Sequence, residues 1–311
     1  MNMKKPSIFR LVSQIIVTII LSFGVVCTIV FLKLSRVDPA YPHHQLNTPL
    51  AIVIANKTLT GPIKSFETLR FPSQFEDVML EGWFVKHPSS NQVVILTHGY
   101  NSSKKEPALI KMAWVFFKQG FNVFLYDLQN HGNSSSINGR TALGSREYYD
   151  VLGAKQACIN LGFSSNNILY YGLSLGAAAT LIAAQYDSDI KTIISHGSFS
   201  DPALIIKEEF KRENIPSFLY YGSKLIANYL FQFPIGLKTP LDLDKTTLSK
   251  LIMIHSKHDN RVGFHHSQQL LEKAQKNDIS THFLILDSQE HVDVVFKYEN
   301  EFKQFYDLAL H

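Results

Sequence analysis

The chain contains the stretch Tyr171-Gly172-Leu173-Ser174-Leu175-Gly176, which matches the pattern G-x-S-x-G. An apolar strand pattern ends at this stretch, and an Ala-rich helix pattern begins at its end. A sharp turn from strand to helix strains its central residue, and glycines on both sides leave room for the turn. The sequence therefore predicts that the Ser174 hydroxyl lies exposed at the C-terminal edge of a sheet. The alternative is an ordinary strand–helix connection built from small residues.

A second loop follows the apolar run Val93-Val94-Ile95-Leu96-Thr97 and begins with His98-Gly99-Tyr100-Asn101. Acyl transfer needs N–H donors that point at the developing oxyanion. We expect the backbone N–H groups of Tyr100 and Leu175 to form this oxyanion hole. His98 precedes the serine, so we interpret it as a structural loop residue and not as the base.

Two further groups follow the last two predicted strands. Asp259 lies at the C-terminal end of its strand, where a carboxylate can orient an imidazole, whereas its rivals Asp242 and Asp244 lie before that strand. His291 lies between the last predicted strand and the last predicted helix. The chain order serine, acid, histidine therefore predicts a triad of Ser174, Asp259 and His291.

Strand and helix patterns alternate over residues 64–311. A hairpin is predicted at Phe66–Phe71 and Val78–Val85, and the later alternation implies a mostly parallel sheet with helices on both faces. Residues 201–245 interrupt this alternation with apolar side chains at helical spacing. We interpret them as a helical lid insertion; the alternative is that their apolar stripe only packs on the sheet.

The N-terminal part contains an uncharged run of 22 residues, Leu11 to Leu32. About 20 residues in a helix cross the ~30 Å hydrocarbon layer of a membrane. The sequence predicts an uncleaved transmembrane anchor over 1–36 and a linker over 37–63, with a cleaved signal peptide or a buried core helix as alternatives. The flanking cations favour a cytoplasmic N-terminus and an extracytoplasmic catalytic domain; they are Lys4, Lys5, Arg10, Lys33 and Arg36.

Composition excludes several classes of protein. The 311 residues are 45% hydrophobic and 18% charged, which is typical of a folded chain and not of a disordered one. A net charge of +4 without a dense basic stripe argues against nucleic acid as a partner. Two cysteines, Cys27 and Cys158, are too few for a disulfide framework or a zinc finger. We expect no metal and no organic cofactor.

Together these motifs resemble the α/β-hydrolase superfamily over residues 64–310. The resemblance implies the α/β-hydrolase fold, with a mostly parallel eight-stranded sheet and helices on both faces. The segment Tyr126-Asp127-Leu128-Gln129-Asn130-His131-Gly132-Asn133-Ser134 is similar to that superfamily's Y-D-x-R-G-H-G-x-S loop, with Gln129 and Asn130 where arginine and glycine are usual. Within the superfamily the pattern is similar to bacterial membrane-anchored hydrolases and to the S33 serine aminopeptidase-like, Bem46-like group. The resemblance implies that Ser174 is the nucleophile, Asp259 the acid and His291 the base.

The resulting hypothesis is a membrane-anchored serine hydrolase that cleaves small-molecule or lipid-like carboxylic esters through an acyl-enzyme. One alternative is a serine peptidase or amidase on the same fold, which an acidic cluster for a substrate amino group would favour. Glu208, Glu209 and Glu213 are charged but are interpreted as solvated. Another alternative is a non-catalytic, membrane-attached binding module.

Overall fold

The computed structural model describes residues 8–38, 46–55, 57–244 and 248–310, with side chains described as far as residue 306. The strands in these ranges are β1 (Ala51–Ile54), β2 (Lys57–Thr60), β3 (Glu67–Pro72), β4 (Met79–Val85), β5 (Val93–Thr97), β6 (Asn122–Tyr126), β7 (Ile168–Leu173), β8 (Thr192–His196), β9 (Lys250–Ser256) and β10 (Ser280–Leu286). The α-helices are α1 (Ile8–Ser35), α2 (Pro107–Lys118), α3 (Tyr148–Asn160), α4 (Leu175–Ala183), α5 (Pro202–Arg212), α6 (Leu219–Leu225), α7 (His265–Lys276) and α8 (Glu299–Leu310). A π-helical turn, Ile226–Leu230, continues α6, and short 3₁₀ segments lie at Ser165–Asn167 and Asp293–Phe296.

Eight of the described strands form one sheet in the order β10-β9-β8-β7-β5-β6-β4-β3. Strands β5 to β10 pair in parallel, whereas β4 pairs antiparallel with both β3 and β6. Strands β5, β6 and β7 are buried along their whole length, as their continuous apolar runs predict. The structure thus confirms a mostly parallel eight-stranded sheet with an antiparallel hairpin at one edge.

The helices cover both faces of this sheet. Helices α3, α4 and α7 contribute to the core on one face, and α2 and α8 contribute to the core on the other. Along β7, Tyr170 packs into the first core and Tyr171 into the second, because successive side chains of a strand point to opposite faces. Because β5 to β10 run in parallel, their C-terminal ends lie at one common edge of the sheet.

A small two-stranded sheet lies inside the segment that the sequence predicts to be only a linker. Strands β1 and β2 pair antiparallel, with Ala51 opposite Thr60. The Trp114 indole N–H donates to the Pro49 carbonyl at 2.6 Å and attaches this part of the chain to α2. Four-residue strands carry too little local pattern to be recognised, so tertiary contact stabilises this hairpin. Residues 39–45 of the predicted linker lie outside the described residues.

The N-terminal helix and the insertion pack against each other. Helix α1 is the one described helix long and apolar enough to cross a membrane, and its first two thirds are exposed. Its last third buries Cys27, Val30 and Phe31 against α6 and the π-helical turn. Helices α5 and α6 lie between β8 and β9, where the sequence predicts a helical insertion. Lys4 and Lys5, two of the cations on which the predicted membrane orientation depends, lie outside the described residues.

The loop after β6 is held by hydrogen bonds from its own side chains. The Asp127 carboxylate accepts the backbone N–H groups of Lys104 at 2.7 Å and Asn133 at 2.8 Å. Asn130 stands where the resembled loop has glycine, and it adopts a left-handed φ of 65°, which asparagine tolerates better than most residues. Its Oδ1 accepts the backbone N–H groups of residues 137–139. The asparagine therefore keeps the backbone turn and adds a cap for the following residues.

Gln129 stands where the resembled loop has arginine, and it lies beside a buried acid that pairs with no cation among the described residues. The carboxyl of Asp150 is fully buried, accepts the Ser73 hydroxyl at 2.6 Å and accepts the Gln129 backbone N–H at 2.8 Å. Burial outweighs these hydrogen bonds and raises the pKa of Asp150 from 3.8 to about 7. A guanidinium at position 129 would supply the missing positive charge.

We therefore predict that Gln129→Arg changes the pH dependence of stability. In the wild type, Asp150 keeps its proton in the folded state but loses it in the unfolded state between pH 3.8 and about 7. The folded state then binds more protons, so the contribution of Asp150 to the free energy of unfolding falls as the pH rises through this window. An ion pair with the introduced guanidinium lowers the folded-state pKa of Asp150 and removes this fall. Urea unfolding at pH 5 and pH 8 measures the difference.

The matched control is Gln156→Arg, which adds the same charge at an exposed position of α3, the helix that carries Asp150. This control is expected to keep the wild-type pH dependence. Equal pH dependence in Gln129→Arg, Gln156→Arg and the wild type would contradict the prediction.

Candidate active site

The turn between β7 and α4 holds Ser174 in a strained conformation, with φ of 51° and ψ of −114°. Neighbouring glycines make this turn possible, because larger residues would collide with the backbone. A Cβ on Gly172 would lie 2.4 Å from the Ala177 Cα, and one on Gly176 would lie 2.3 Å from the Thr97 carbonyl oxygen. The local sequence thus places Ser174 at the C-terminal edge of the sheet, as predicted.

Asp259 and His291 form a hydrogen-bonded pair beside this edge. The His291 Nδ1–H donates to Asp259 Oδ2 at 2.6 Å. The other carboxylate oxygen accepts the N–H groups of Arg261 at 2.7 Å and Val262 at 2.9 Å. Burial alone would raise the pKa of Asp259, but the hydrogen bond and charge of His291 and the two N–H groups outweigh it and lower that pKa. The ionised carboxylate holds Nδ1–H of the imidazole toward itself, so Nε2 is the nitrogen that can take a proton from another group.

The free nitrogen of His291 lies beside the cavity that also contains Ser174. His291 Nε2 is buried and has no hydrogen-bond partner within the described residues. The imidazole ring packs on Gly197, where a Cβ would lie 2.9 Å from Cε1. His291 and Ser174 both line one open cavity of about 1100 Å³. No hydrogen bond joins their side chains in the part of the chain that the structure describes.

The two predicted oxyanion donors lie at the same cavity. Leu175 is the first residue of α4, and Tyr100 lies on the loop after β5; both line the cavity with Ser174. A Cβ on Gly99 would lie 3.3 Å from the Ser174 Cβ, so this loop approaches the serine closely. Among the described residues, no backbone group accepts the N–H of Tyr100 or that of Leu175. Both donors therefore remain available to an oxyanion.

His98 has the structural role expected for it. Its Nδ1–H donates to the Gly99 carbonyl at 2.7 Å, and its Nε2 accepts the Leu128 N–H at 3.0 Å. Complete burial keeps the pKa of His98 well below its ordinary value. The rival acid Asp242 caps a turn by accepting the Thr239 N–H at 2.8 Å. These groups are thus engaged in loop structure.

The cavity wall also carries an acidic group that was not predicted from the sequence, formed by Glu106, Glu290 and Asp293. Burial first, and then the charge of Asp293, raises the pKa of Glu106 to about 7. Burial and the charge of Glu290 raise the pKa of Asp293. No local pattern marks these residues, because two of them follow β10 and the third immediately precedes α2. The β1–β2 hairpin, also unpredicted, forms another wall through Val53, Ile54 and Lys57.

Glu208, Glu209 and Glu213, the glutamates interpreted above as solvated, are engaged in ion pairs. Glu213 pairs with Lys33 at 2.7 Å, and Glu209 pairs with Arg261 at 3.2 Å. Glu208 contacts His265 and His266, at 2.8 and 3.2 Å. None of the three lines the described cavity.

Glu208, His265 and His266 are close enough together to bind a metal ion. However, His266 Nδ1 accepts the Ser200 backbone N–H at 3.1 Å. The ring proton must therefore lie on Nε2, the atom that faces Glu208 Oε2 at 3.2 Å. A protonated nitrogen cannot bind a metal, so this arrangement fits a hydrogen-bonded link between α5 and α7.

Comparison with solved structures agrees with the fold. Esterase Pf2001 of Pyrococcus furiosus superposes with a TM-score of 0.63 and 21% sequence identity, over 79% of this chain and 93% of the esterase. The acylaminoacyl peptidase of Pyrococcus horikoshii superposes with a TM-score of 0.58 and 20% identity, over 80% of this chain and 42% of the peptidase. The expected α/β-hydrolase fold is thereby confirmed.

Sequence comparison identifies the family of the chain. The uncharacterized protein YfhR of Escherichia coli O157:H7 is 23% identical over 239 residues, which is 74% of each chain. The model of the prolyl oligopeptidase family matches residues 107–310, a span that contains Ser174, Asp259 and His291. The chain therefore belongs to the prolyl oligopeptidase family.

Proposed function

We propose that this protein is a serine hydrolase that cleaves carboxylic esters, including lipid-like ones, with Ser174, Asp259 and His291 as its triad. The observation that carries the proposal is the 2.6 Å hydrogen bond between His291 Nδ1 and Asp259, which orients the imidazole so that Nε2 is the nitrogen left to act as the base at the cavity of Ser174. A strained serine, an oriented imidazole and unpaired N–H donors are the parts that acyl transfer requires. Membership of a peptidase family supports the same chemistry.

The proposed reaction begins when His291 Nε2 takes the proton of Ser174 as the hydroxyl oxygen attacks the ester carbonyl. Asp259 remains ionised and stabilises the imidazolium that forms. The N–H groups of Tyr100 and Leu175 bind the oxyanion, and each donor of this kind contributes about 3–4 kcal/mol to transition-state stabilisation. His291 then protonates the leaving alcohol. Water activated by the same imidazole hydrolyses the acyl-enzyme.

The proposal includes attachment to a membrane. Residues 1–36 are the anchor, with 11–32 in the bilayer, 37–63 the connecting segment and 64–311 the catalytic domain, with a lid over 201–245. The exposed apolar surface of α1 supports the anchor, and the flanking cations favour an extracytoplasmic catalytic domain. The narrower placement in the S33, Bem46-like group stays a prediction, since the matched family model is that of the prolyl oligopeptidases.

Labelling with a fluorophosphonate probe tests the proposal on the full chain in detergent. The wild type is expected to be labelled covalently, because an activated serine attacks the phosphonate. Ser174→Ala is expected to abolish labelling. Ser102→Ala is the matched control, because Ser102 lines the same cavity, and it should remain labelled. A folded wild type that resists labelling would favour the non-catalytic binding module.

The acidic group on the cavity wall favours a second candidate, a peptidase or amidase that binds a substrate amino group. Glu290 and Asp293 flank the triad histidine in sequence and line the cavity. If this alternative holds, kcat/KM for an aminoacyl anilide with a free amino group is more than about tenfold higher than for its N-acetylated form. A tenfold ratio corresponds to ~1.4 kcal/mol of transition-state stabilisation. Glu290→Gln and Asp293→Asn should each reduce that preference. Equal rates for the two anilides would exclude this candidate.

A further inference from the structure

The insertion presents a continuous apolar surface to solvent. In residues 218–230, all of which the structure describes, every exposed side chain is apolar or aromatic. We call these five side chains the cap patch; they are Phe218, Tyr221, Leu225, Tyr229 and Leu230, with exposed fractions of 64, 67, 59, 81 and 69%. Spacings of three and four residues place four of them along one helical face. An apolar patch of this kind marks a surface that binds a partner.

The cap patch lies beside the predicted membrane anchor. The rings of Phe218 and Phe23 stack with their centroids 6.3 Å apart. The Ser223 hydroxyl donates to the Cys27 carbonyl at 3.1 Å. A Cβ on Gly222 would lie 2.4 Å from the Cys27 sulfur, so the two helices cross closely here. Helix α6 therefore contacts α1 between residues 23 and 27.

This crossing point coincides with the level at which α1 would leave a bilayer. Helix α1 is exposed from Ile8 to Phe23, and Cys27 is its first buried residue. A helix rises about 1.5 Å per residue, so a hydrocarbon layer ~30 Å thick that begins at Leu11 ends near residue 30. The start of the cap patch, attached at residues 23–27, lies just inside this boundary. The π-helical turn that carries Tyr229 and Leu230 packs near Phe31 and so lies at the boundary itself. The first charged residue of α1 beyond this boundary is Lys33, which pairs with Glu213.

We propose that the cap patch inserts into the outer layer of the phospholipid bilayer that α1 spans. Tyrosine is enriched at the interface between water and hydrocarbon, and phenylalanine and leucine form the buried face of helices that lie in this interface. The cap and α1 would then form one lipid-facing surface. Tyr100 on the oxyanion loop donates a hydrogen bond to the Arg36 carbonyl just after α1, which ties this surface to the candidate active site. The inference rests on the proposed membrane attachment of α1 and does not require the proposed hydrolase activity.

Fluorescence quenching in vesicles tests the cap patch. Full-length chains carry one added cysteine labelled with an environment-sensitive fluorophore and are reconstituted in phosphatidylcholine vesicles that contain a nitroxide-bearing phosphatidylcholine. The native cysteines are both buried. Tyr229→Cys and Leu225→Cys report on the cap patch, and Val12→Cys reports on α1. Leu161→Cys is the matched control, because Leu161 is exposed and precedes the start of β7, at the opposite edge of the sheet from the cap.

We expect the lipid nitroxide to quench the labels at 229 and 225 at least threefold more strongly than the label at 161. The cap-patch proposal would be overturned if the label at position 12 is strongly quenched but the label at position 229 is quenched no more than the label at position 161. It would also be overturned if energy transfer between labelled chains shows that position 229 is buried against a second copy. Weak quenching of the labels at both position 12 and position 229 would overturn the membrane anchor together with the cap-patch proposal. The same measurements in a Ser174→Ala background keep this result separate from phosphonate labelling, since quenching needs no catalysis.

Discussion

Replacement of Ser174 by alanine is expected to lower kcat for ester hydrolysis about 10⁶-fold, the loss that removal of a triad nucleophile causes. Alanine retains the Cβ and the backbone strain of position 174, so the turn between β7 and α4 should fold as before. The loss then reports on the hydroxyl alone. Initial rates on a water-soluble chromogenic ester, with circular dichroism as the check on folding, measure it.

The same assay shows whether the three residues act as a unit. His291→Ala should lower kcat about as much as Ser174→Ala, and the double variant should be no slower than either single variant, because each removes the same reaction path. Asp259→Asn should cost about 10⁴-fold, since the amide no longer holds the imidazole in the required tautomer. A double variant that is slower by the product of the two single losses would show that Ser174 and His291 act independently.

The second large effect is on stability. Lys104→Ala is expected to lower the free energy of unfolding by about 3–5 kcal/mol, because it leaves a buried carboxylate without its cation. The Lys104 side chain is fully buried, and its ammonium group contacts both Asp127 and Glu81. Asp127 itself is 1% exposed and holds the loop after β6. Urea unfolding at neutral pH measures the change.

Arg70→Ala is the matched control for this prediction. Arg70 pairs with the same Glu81 at 3.4 Å, but its side chain is 70% exposed. Exposed ion pairs contribute only about 0–1 kcal/mol, because water screens them and ordering the side chains costs entropy. Similar losses in Lys104→Ala and Arg70→Ala would mean that burial does not control the strength of these pairs.

Strands β5 to β7 and the serine turn could be predicted because their signals are local. Apolar runs identify strands buried on both faces, and Gly172 and Gly176 mark a turn that excludes larger residues. Ser174, Asp259 and His291 come from distant segments. They could be predicted to act together because they follow one another in the order that the resembled fold uses for its triad. The hairpin β1–β2 was missed, because four-residue strands that dock through Trp114 have no signal of their own.

Local patterns of apolar residues and glycines thus determined the sheet, the strained turn at Ser174 and an N-terminal helix long enough to span a membrane. Only the tertiary structure brought Glu106 together with Glu290 and Asp293, and only it placed the cap patch beside residues 23–27 of α1. The physical reason is that periodicity and turn chemistry act over a few neighbouring residues. Burial, pKa shifts and shared surfaces depend on which distant segments the packed sheet brings into contact.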